Sequence, residues 1–268
     1  MQQNILLNTL IDLTEKNQSY AVATVISATV GTPGKTGAKM IVQADGTSFG
    51  TVGGGMVEKK VQQECIKSIK SRLPELKTYA MKGHGWPVCG GEVAIFIEPF
   101  LGQKKLIICG GGHIALPLSM NAKILGFEVT VIDSRKEFAN SKRFPHVDKI
   151  ICGLPDQLSK MTIDSNSHVV IITHNHTQDF ACLKQTIKCP TTYIGVIGSQ
   201  TKINLFLKDL KKIGIKKNDL KKLYLPIGID IGAQTPEEIA ISIMAEIIAV
   251  NNQPKIGTEK FQKKENIK

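Results

Sequence analysis

The stretch "KKLIICGGGHIALPLSMNAKILG" (residues 104–126) constrains the fold more than any other part of the chain. A short apolar run ends in glycines, and a helically spaced apolar pattern follows, closed by Gly126. A strand that turns through glycines into a helix is the opening half of a βαβ unit. The alternation continues. "FEVTVID", "DKIICG", "HVVIITH" and "TYIGVIGS" read as further strands, "DFACLKQTIK" as a helix, and "PEEIAISIMAEIIAV" as a last helix with Pro236 in its first turn. This pattern predicts a parallel sheet with helices on both faces. Strands that are apolar throughout fit a sheet covered on both sides.

Residues 1–101 read differently. A first helix leads into "YAVATVISATVG" and "KMIVQADGTSFG", whose Asp-Gly step signals a hairpin turn. The helix "GMVEKKVQQECIKSIKSRL" and the strand "CGGEVAIFIEPF" follow. The expected organisation of this α/β chain is a smaller α+β module over 1–101, a Rossmann-like domain over 102–250, and a polar, mobile tail over 251–268. A length of 268 residues suits two domains better than one.

Composition narrows the function. The net charge of +11 invites a nucleic-acid partner, but Arg72, Arg135 and Arg143 are the three arginines and the rest of the basicity is lysine. Base readers favour the bidentate guanidinium, so no nucleic-acid partner is expected. No apolar run reaches the roughly 18 residues of a membrane span. The N-terminal pattern carries Asp12 and Glu15 and lacks the features of a signal peptide, so a cytoplasmic location is expected. None of the six cysteines (Cys65, Cys89, Cys109, Cys152, Cys182, Cys189) forms a CxxC pair, which argues against a zinc ribbon or a thioredoxin-type centre. Most lie in apolar runs and are expected to be buried small hydrophobes.

Gly110-Gly111-Gly112-His113-Ile114-Ala115 fits G-x-G-x-x-A between a strand and a helix, the context that gives this motif its meaning. Gly110 permits the tight turn, Gly112 lets backbone approach a pyrophosphate, and Ala115 lets the helix sit close to the sheet. Asp133 ends the next strand, 23 residues after Gly110, where an acid would hold a ribose hydroxyl. Arg135 could accommodate a 2′-phosphate or be a plain surface arginine. "THNHTQD" (173–179) places His174, His176 and Asp179 on the same rim. On a strand, His174 and His176 would share a side and could chelate a metal, or they could hydrogen-bond a ligand. Thr177 or Asp179 could instead cap the next helix.

A second glycine cluster, "GTVGGGMVE" (50–58), opens a helix with Glu58 in its early turns. Gly53, Gly54 and Gly55 could present their N–H groups as an anion nest. "GTPGKTG" is not a P-loop, because Thr29 stands where the first glycine of that motif belongs.

"GTPGKTGAKMIVQADGTSFGTVGGGMVEKKV" and "CGGEVAIFIEPF" resemble the N-terminal module of the XdhC/CoxI family of molybdenum-hydroxylase accessory proteins. "CGGGHIALPL", "VIDSR", "RFPHVD", "THNHTQD", "YIGVIGSQTK" and "PIGIDIGAQTPEEIAISIMAEI" are similar, in order, to that family's C-terminal Rossmann domain. The resemblance runs over about residues 20–250. It implies a maturation factor or chaperone rather than a catalyst. Such a protein binds molybdenum cofactor in its molybdopterin form and assists its sulfuration with a cysteine desulfurase. It then passes the cofactor to apo xanthine dehydrogenase or a related molybdenum hydroxylase. The family's "CGG" cysteine is Cys89 here, which makes it the candidate contact to molybdenum, with His84 nearby in sequence. Thiolates are soft ligands suited to that chemistry. Lys35 and Lys39 stand where the family commonly shows arginine. A homodimer is expected on general grounds. The fingerprint also leaves open NAD(P) or another nucleotide as ligand, with an NAD(P)-dependent oxidoreductase as the competing class. A scaffold joining desulfurase to hydroxylase is a third reading.

Overall fold

A computed structural model of the protein describes residues 2–29, 31–80, 91–153 and 155–252. The chain divides into two compact units, Met1–Gly102 and Gln103–Lys268. Asn251 and Asn252, assigned to the tail by sequence, close the last helix. The remainder of that expected tail lies outside the described residues.

The first unit runs α1 (Gln2–Glu15), β1 (Tyr20–Ala28), β2 (Lys39–Gln43), β3 (Ser48–Gly50), α2 (Gly55–Ser71), β4 (Glu75–Ala80) and β5 (Glu92–Phe100). The strands form one antiparallel sheet in the order β3-β2-β1-β5-β4. Side chains alternate across a strand, and β1 shows the consequence. Ala21, Ala23 and Val25 meet Val57, Val61 and Cys65 of α2. Tyr20 and Val22 join Leu13 of α1 in a second cluster.

The second unit runs β6 (Lys105–Cys109), α3 (Ala115–Ile124), β7 (Glu128–Asp133), β8 (Lys149–Cys152), β9 (Ser167–Ile171), α4 (His176–Thr186), β10 (Tyr193–Val196), α5 (Gln200–Lys212), β11 (Leu223–Tyr224) and α6 (Pro236–Asn252). Its sheet is parallel throughout, in the order β11-β10-β9-β6-β7-β8. This is the α/β class expected from the sequence. Leu106 and Ile108 of β6 face a core shared with Leu118 of α3 and Ile243 and Ile247 of α6. Their neighbours Ile107 and Cys109 face a second core with Leu183 of α4 and Phe206 and Leu210 of α5. Both faces are therefore apolar and both are covered.

The chain leaves β6 toward β7 and β8, then crosses back to lay β9 on the other side of β6. The gap between β6 and β9 is thus a topological switch point, where open α/β sheets take their ligands. The last helix is fixed by a capping box. The Glu238 N–H donates to Thr235 Oγ1 (3.3 Å), and Glu238 Oε2 accepts from the Gln234 and Thr235 amides (2.7 and 3.1 Å).

Within α6, Ile243 is fully buried while Ile241, two positions away, is 55% exposed. Ile243→Ala is expected to destabilise the protein by about 2–5 kcal/mol in urea unfolding. Ile241→Ala is expected to change stability by no more than about 0.5 kcal/mol. Equal effects would contradict the face assigned to this helix.

Candidate functional site

The carboxyl ends of β6, β7 and β9 bring the second glycine cluster, Asp133 and the "THNHTQD" segment together. Gly110 has φ of 114°, and a Cβ there would collide with the Ile172 carbonyl and lie 2.9 Å from Thr173 Cα. Glycine is therefore required for the loops after β6 and β9 to touch. A Cβ on Gly111 would strike the Phe138 carbonyl. Gly112 differs, since a Cβ there would meet nothing within 4 Å. The space beside Gly112 opens on the start of α3, whose N-cap Ile114 supplies no side-chain acceptor. Among the described residues no acceptor meets the amides of Gly112, His113 or Ile114. These amides and the helix dipole make a cradle for an anion. His113 is exposed on the turn, and Ala115 is fully buried against the sheet.

Two arginines hold this loop. Asp133 Oδ2 accepts from the Gly111 amide (2.7 Å) and Arg135 Nη2 (2.9 Å). Asp133 Oδ1 accepts from the Arg135 amide (2.9 Å) and Nε (3.0 Å). Burial opposes the charge on Asp133, but the Arg135 guanidinium and the Arg135 and Gly111 amides outweigh it and hold the carboxyl below its usual range. Arg135 also lies over the Phe138 ring at 3.7 Å. It is a buttress of the loop rather than the plain surface residue considered from sequence. Arg143 donates through Nε to the Gly111 carbonyl (3.0 Å) and through Nη2 to the Gly112 carbonyl (3.1 Å). Sequence reading missed this clamp, because nothing local marks a contact across 32 and 31 residues.

The "THNHTQD" segment is corrected in three ways. First, β9 ends at Ile171, so His174 sits in a bend and His176 is the first residue of α4. The expected strand that would align two imidazoles does not exist. Among the described residues no group of three His, Cys, Asp or Glu could hold a metal. Second, the helix cap is Asn175, whose side chain accepts from the Gln178 amide at 2.8 Å, rather than Thr177 or Asp179. Third, Asp179 is buried in an ion pair with Lys202 and accepts from the Thr173 amide (3.0 Å) and hydroxyl (2.7 Å). Lys202 also donates to the Ile197 carbonyl (2.6 Å). Asp179 therefore ties α4 and α5 to the strand ends and is not available to a ligand. His174 and His176 remain exposed on the rim.

The first cluster belongs to the other unit. Gly53, Gly54 and Gly55 have φ of 127°, 78° and 65°, conformations that favour glycine. A Cβ on Gly53 would lie 2.6 Å from the Gly34 amide nitrogen, so the two glycine loops of this unit meet backbone to backbone. Cβ atoms on Gly54 and Gly55 would meet nothing within 4 Å. Glu58 Oε2 accepts from the Thr51 hydroxyl (2.6 Å) and the Gly54 amide (3.1 Å), bracing the loop from within. Gly55, Met56, Glu58, Lys59 and Gln62 line an open hollow at the start of α2.

Cys89 and His84 lie outside the described residues. Of the other cysteines, Cys65, Cys109 and Cys182 are buried, while Cys152 is exposed at the end of β8. Burial, with the Glu64 charge, pushes the Cys65 thiol up to about 12, so it is an inert core residue.

Two units, one of them a parallel sheet with an anion-ready glycine turn at its switch point, define a nucleotide-fold protein with an appended α+β module. Family comparison narrows this. Residues 106–247 match the family model described as the XdhC Rossmann domain, and residues 13–80 match that of the XdhC and CoxI family. The chain belongs to the XdhC and CoxI family. It is 34% identical to the uncharacterized protein YqeB of Escherichia coli, over 90% of this chain and 45% of that one. It is 33% identical to a protein of Bacillus subtilis named as a probable subunit of xanthine dehydrogenase, over 58% of this chain and 45% of that one. The chain thus spans about half the length of these two relatives. It is 22% identical to the molybdenum cofactor insertion chaperone PaoD of Escherichia coli, over 85% and 82% of the two chains. A crystal structure described as a xanthine dehydrogenase from Bacillus halodurans shares the fold, with a TM-score of 0.52, 24% identity and coverage of 92% and 96%. No described helix is long and apolar enough to cross a membrane.

Two outcomes test this geometry. The amide of Asp133→Asn would face the donors of Arg135, so the substitution is expected to cost about 1–3 kcal/mol at pH 7. Because the folded-state value of Asp133 is depressed, its contribution is present above the ordinary value of 3.8 and is lost as pH falls through the lower one. The stability gap between the native protein and Asp133→Asn should therefore be flat near neutrality and narrow in acid. A gap that widens in acid would contradict the assignment. Lys202→Met, which strands a buried carboxylate, is expected to cost about 3–5 kcal/mol, and adding Asp179→Asn should restore most of it.

Proposed function

We propose that the chain is a carrier and insertion chaperone for molybdenum cofactor, serving xanthine dehydrogenase or a related molybdenum hydroxylase. The observation that carries this reading is the space at Gly112 beside three amides without acceptors, a cradle that a phosphate group fits and a Cβ would fill. The names of its relatives support the same direction, one being an insertion chaperone and another a probable component of xanthine dehydrogenase.

In this reading the cargo is an anionic pterin phosphate bound to a thiophilic metal. The amides of Gly112, His113 and Ile114 hold the phosphate without needing a cation, because the α3 dipole and fixed N–H groups supply the field. Arg143 and Asp133 keep the loop in its binding shape before cargo arrives, so little conformational entropy is lost on binding. The glycine turn of the first unit, with its own backbone amides, is a second candidate binding place for the cargo. Cys89 supplies a soft thiolate to the metal while a cysteine desulfurase acts on it. His174 and His176, exposed on the rim, hydrogen-bond the cargo or its recipient. The carrier works in the cytoplasm as a homodimer and needs no catalytic group of its own.

The test is purification of the full chain from a molybdenum-replete host, with molybdenum and pterin measured per chain. The native protein should retain both. Gly112→Val should melt as the native protein does, because a side chain there meets nothing, yet retain less pterin by roughly tenfold, about 1.4 kcal/mol of lost contact. Cys89→Ala should lose molybdenum at similar pterin content. Native-level pterin in Gly112→Val would contradict the assignment of the cradle.

A further inference from the structure

A dinucleotide in a Rossmann unit is read at two places. Its pyrophosphate sits on the glycine loop, and an acid at the end of the second strand takes the ribose hydroxyl. Asp133, the last residue of β7, stands in that second place. An ionised carboxylate has about four lone-pair sites. In Asp133 all four are taken, by the Gly111 amide, the Arg135 amide, Arg135 Nε and Arg135 Nη2. The side chain is 2% exposed.

We propose that the Asp133–Arg135 pair shuts the ribose subsite of this loop, so that the unit rejects an ADP-ribose group and accepts a phosphate ester with no ribose diol at that position. The proposal takes its cargo from the carrier reading above, and its exclusion of ribose from the filled carboxylate alone.

The closure is braced from several sides. Arg135 is held at once by its own amide, by a two-pronged contact to the carboxylate and by the face of Phe138. Phe138 is fixed in turn, since its carbonyl abuts Gly111 and its amide donates to the Arg135 carbonyl (3.0 Å). A ribose hydroxyl would have to displace a guanidinium from a carboxylate. A hydroxyl bond to the carboxylate is charge-assisted too, but it brings no opposite charge and would leave the guanidinium without its two-pronged partner, so a neutral diol does not win that exchange. The phosphate cradle at Gly112 is untouched by the pair and stays open. One loop can thus keep its affinity for phosphate while losing its affinity for nicotinamide and other ADP-ribose dinucleotides. A pterin phosphate, which carries no ribose, passes this filter. In a cell where such nucleotides are abundant competitors, the closure keeps the carrier free for its cargo.

The experiment is calorimetric titration of the full chain with ADP-ribose as the probe. The native protein should show no binding up to millimolar probe. Arg135→Ala, which uncovers two acceptor oxygens, should bind it more tightly by roughly tenfold or more, the worth of one hydrogen bond to a charged group. Arg135→Ala combined with Asp133→Asn should lose that gain. Thermal melting of each variant, read beside the titration, serves as the control for stability. Tight binding by the native protein overturns the proposal, and so does the absence of any gain in Arg135→Ala. Pterin content of the same native preparation is read separately. A protein without pterin that rejects ADP-ribose, and gains it on Arg135→Ala, sinks the carrier reading and keeps the closure. A pterin-loaded protein whose cargo-free form binds ADP-ribose does the reverse.

Discussion

The glycine turn of the second unit depends on one buried carboxylate. Asp133 ends β7, and its two oxygens gather the Gly111 amide from the neighbouring loop and three donors of Arg135. Arg143 then pins the carbonyls of Gly111 and Gly112. The loop is thus fixed through its carbonyls and through the Gly110 and Gly111 amides, which donate to the Ile132 carbonyl and to Asp133, while no acceptor among the described residues meets the next three amides. The groups this loop would offer a ligand are those the protein does not satisfy internally.

The sheet makes this arrangement possible. Strict alternation along β6, β7, β9 and β10 feeds two separate cores, one under α3 and α6 and one under α4 and α5. A strand end buried on both faces is a rigid platform, and the polar groups at its edge can be placed within tight limits. The Asp179–Lys202 pair serves the same end at the neighbouring strand tips, where it holds the starts of α4 and α5. Even Gly198 follows from it, since a Cβ there would lie 2.6 Å from the aliphatic stem of Lys202.

Fold class was legible because period and punctuation were both strong. Apolar runs, glycine turns and helical spacing from Lys104 onward leave few alternatives to a covered parallel sheet, and the Asp-Gly step fixed a hairpin in the first unit. The tight-turn role of Gly110 could be read from its spacing, and the structure shows the neighbouring backbone that forces it, whereas no neighbour forces glycine at Gly112. Side-chain pairings were not legible. Arg135 follows Asp133 by two residues, but only the turn into Phe138 folds its guanidinium back over the carboxylate. Asp179 and Lys202 are 23 residues apart and meet only because β9 and β10 are neighbours. The error at His174 and His176 was avoidable. Asn175 with Gln178 three residues on is a helix-start pattern, and it ends the strand before either histidine.

The central claim is that the protein secures the Gly110 and Gly111 amides of the glycine turn and withholds the next three for a phosphate. Residue-resolved amide hydrogen exchange tests this most directly, on the free protein and with added pyrophosphate. The account predicts a slowly exchanging Gly111 amide beside fast Gly112, His113 and Ile114, with pyrophosphate slowing those three and leaving Gly111 unchanged. Fast exchange at Gly111 in the free protein, or no protection of the other three by pyrophosphate, would contradict it.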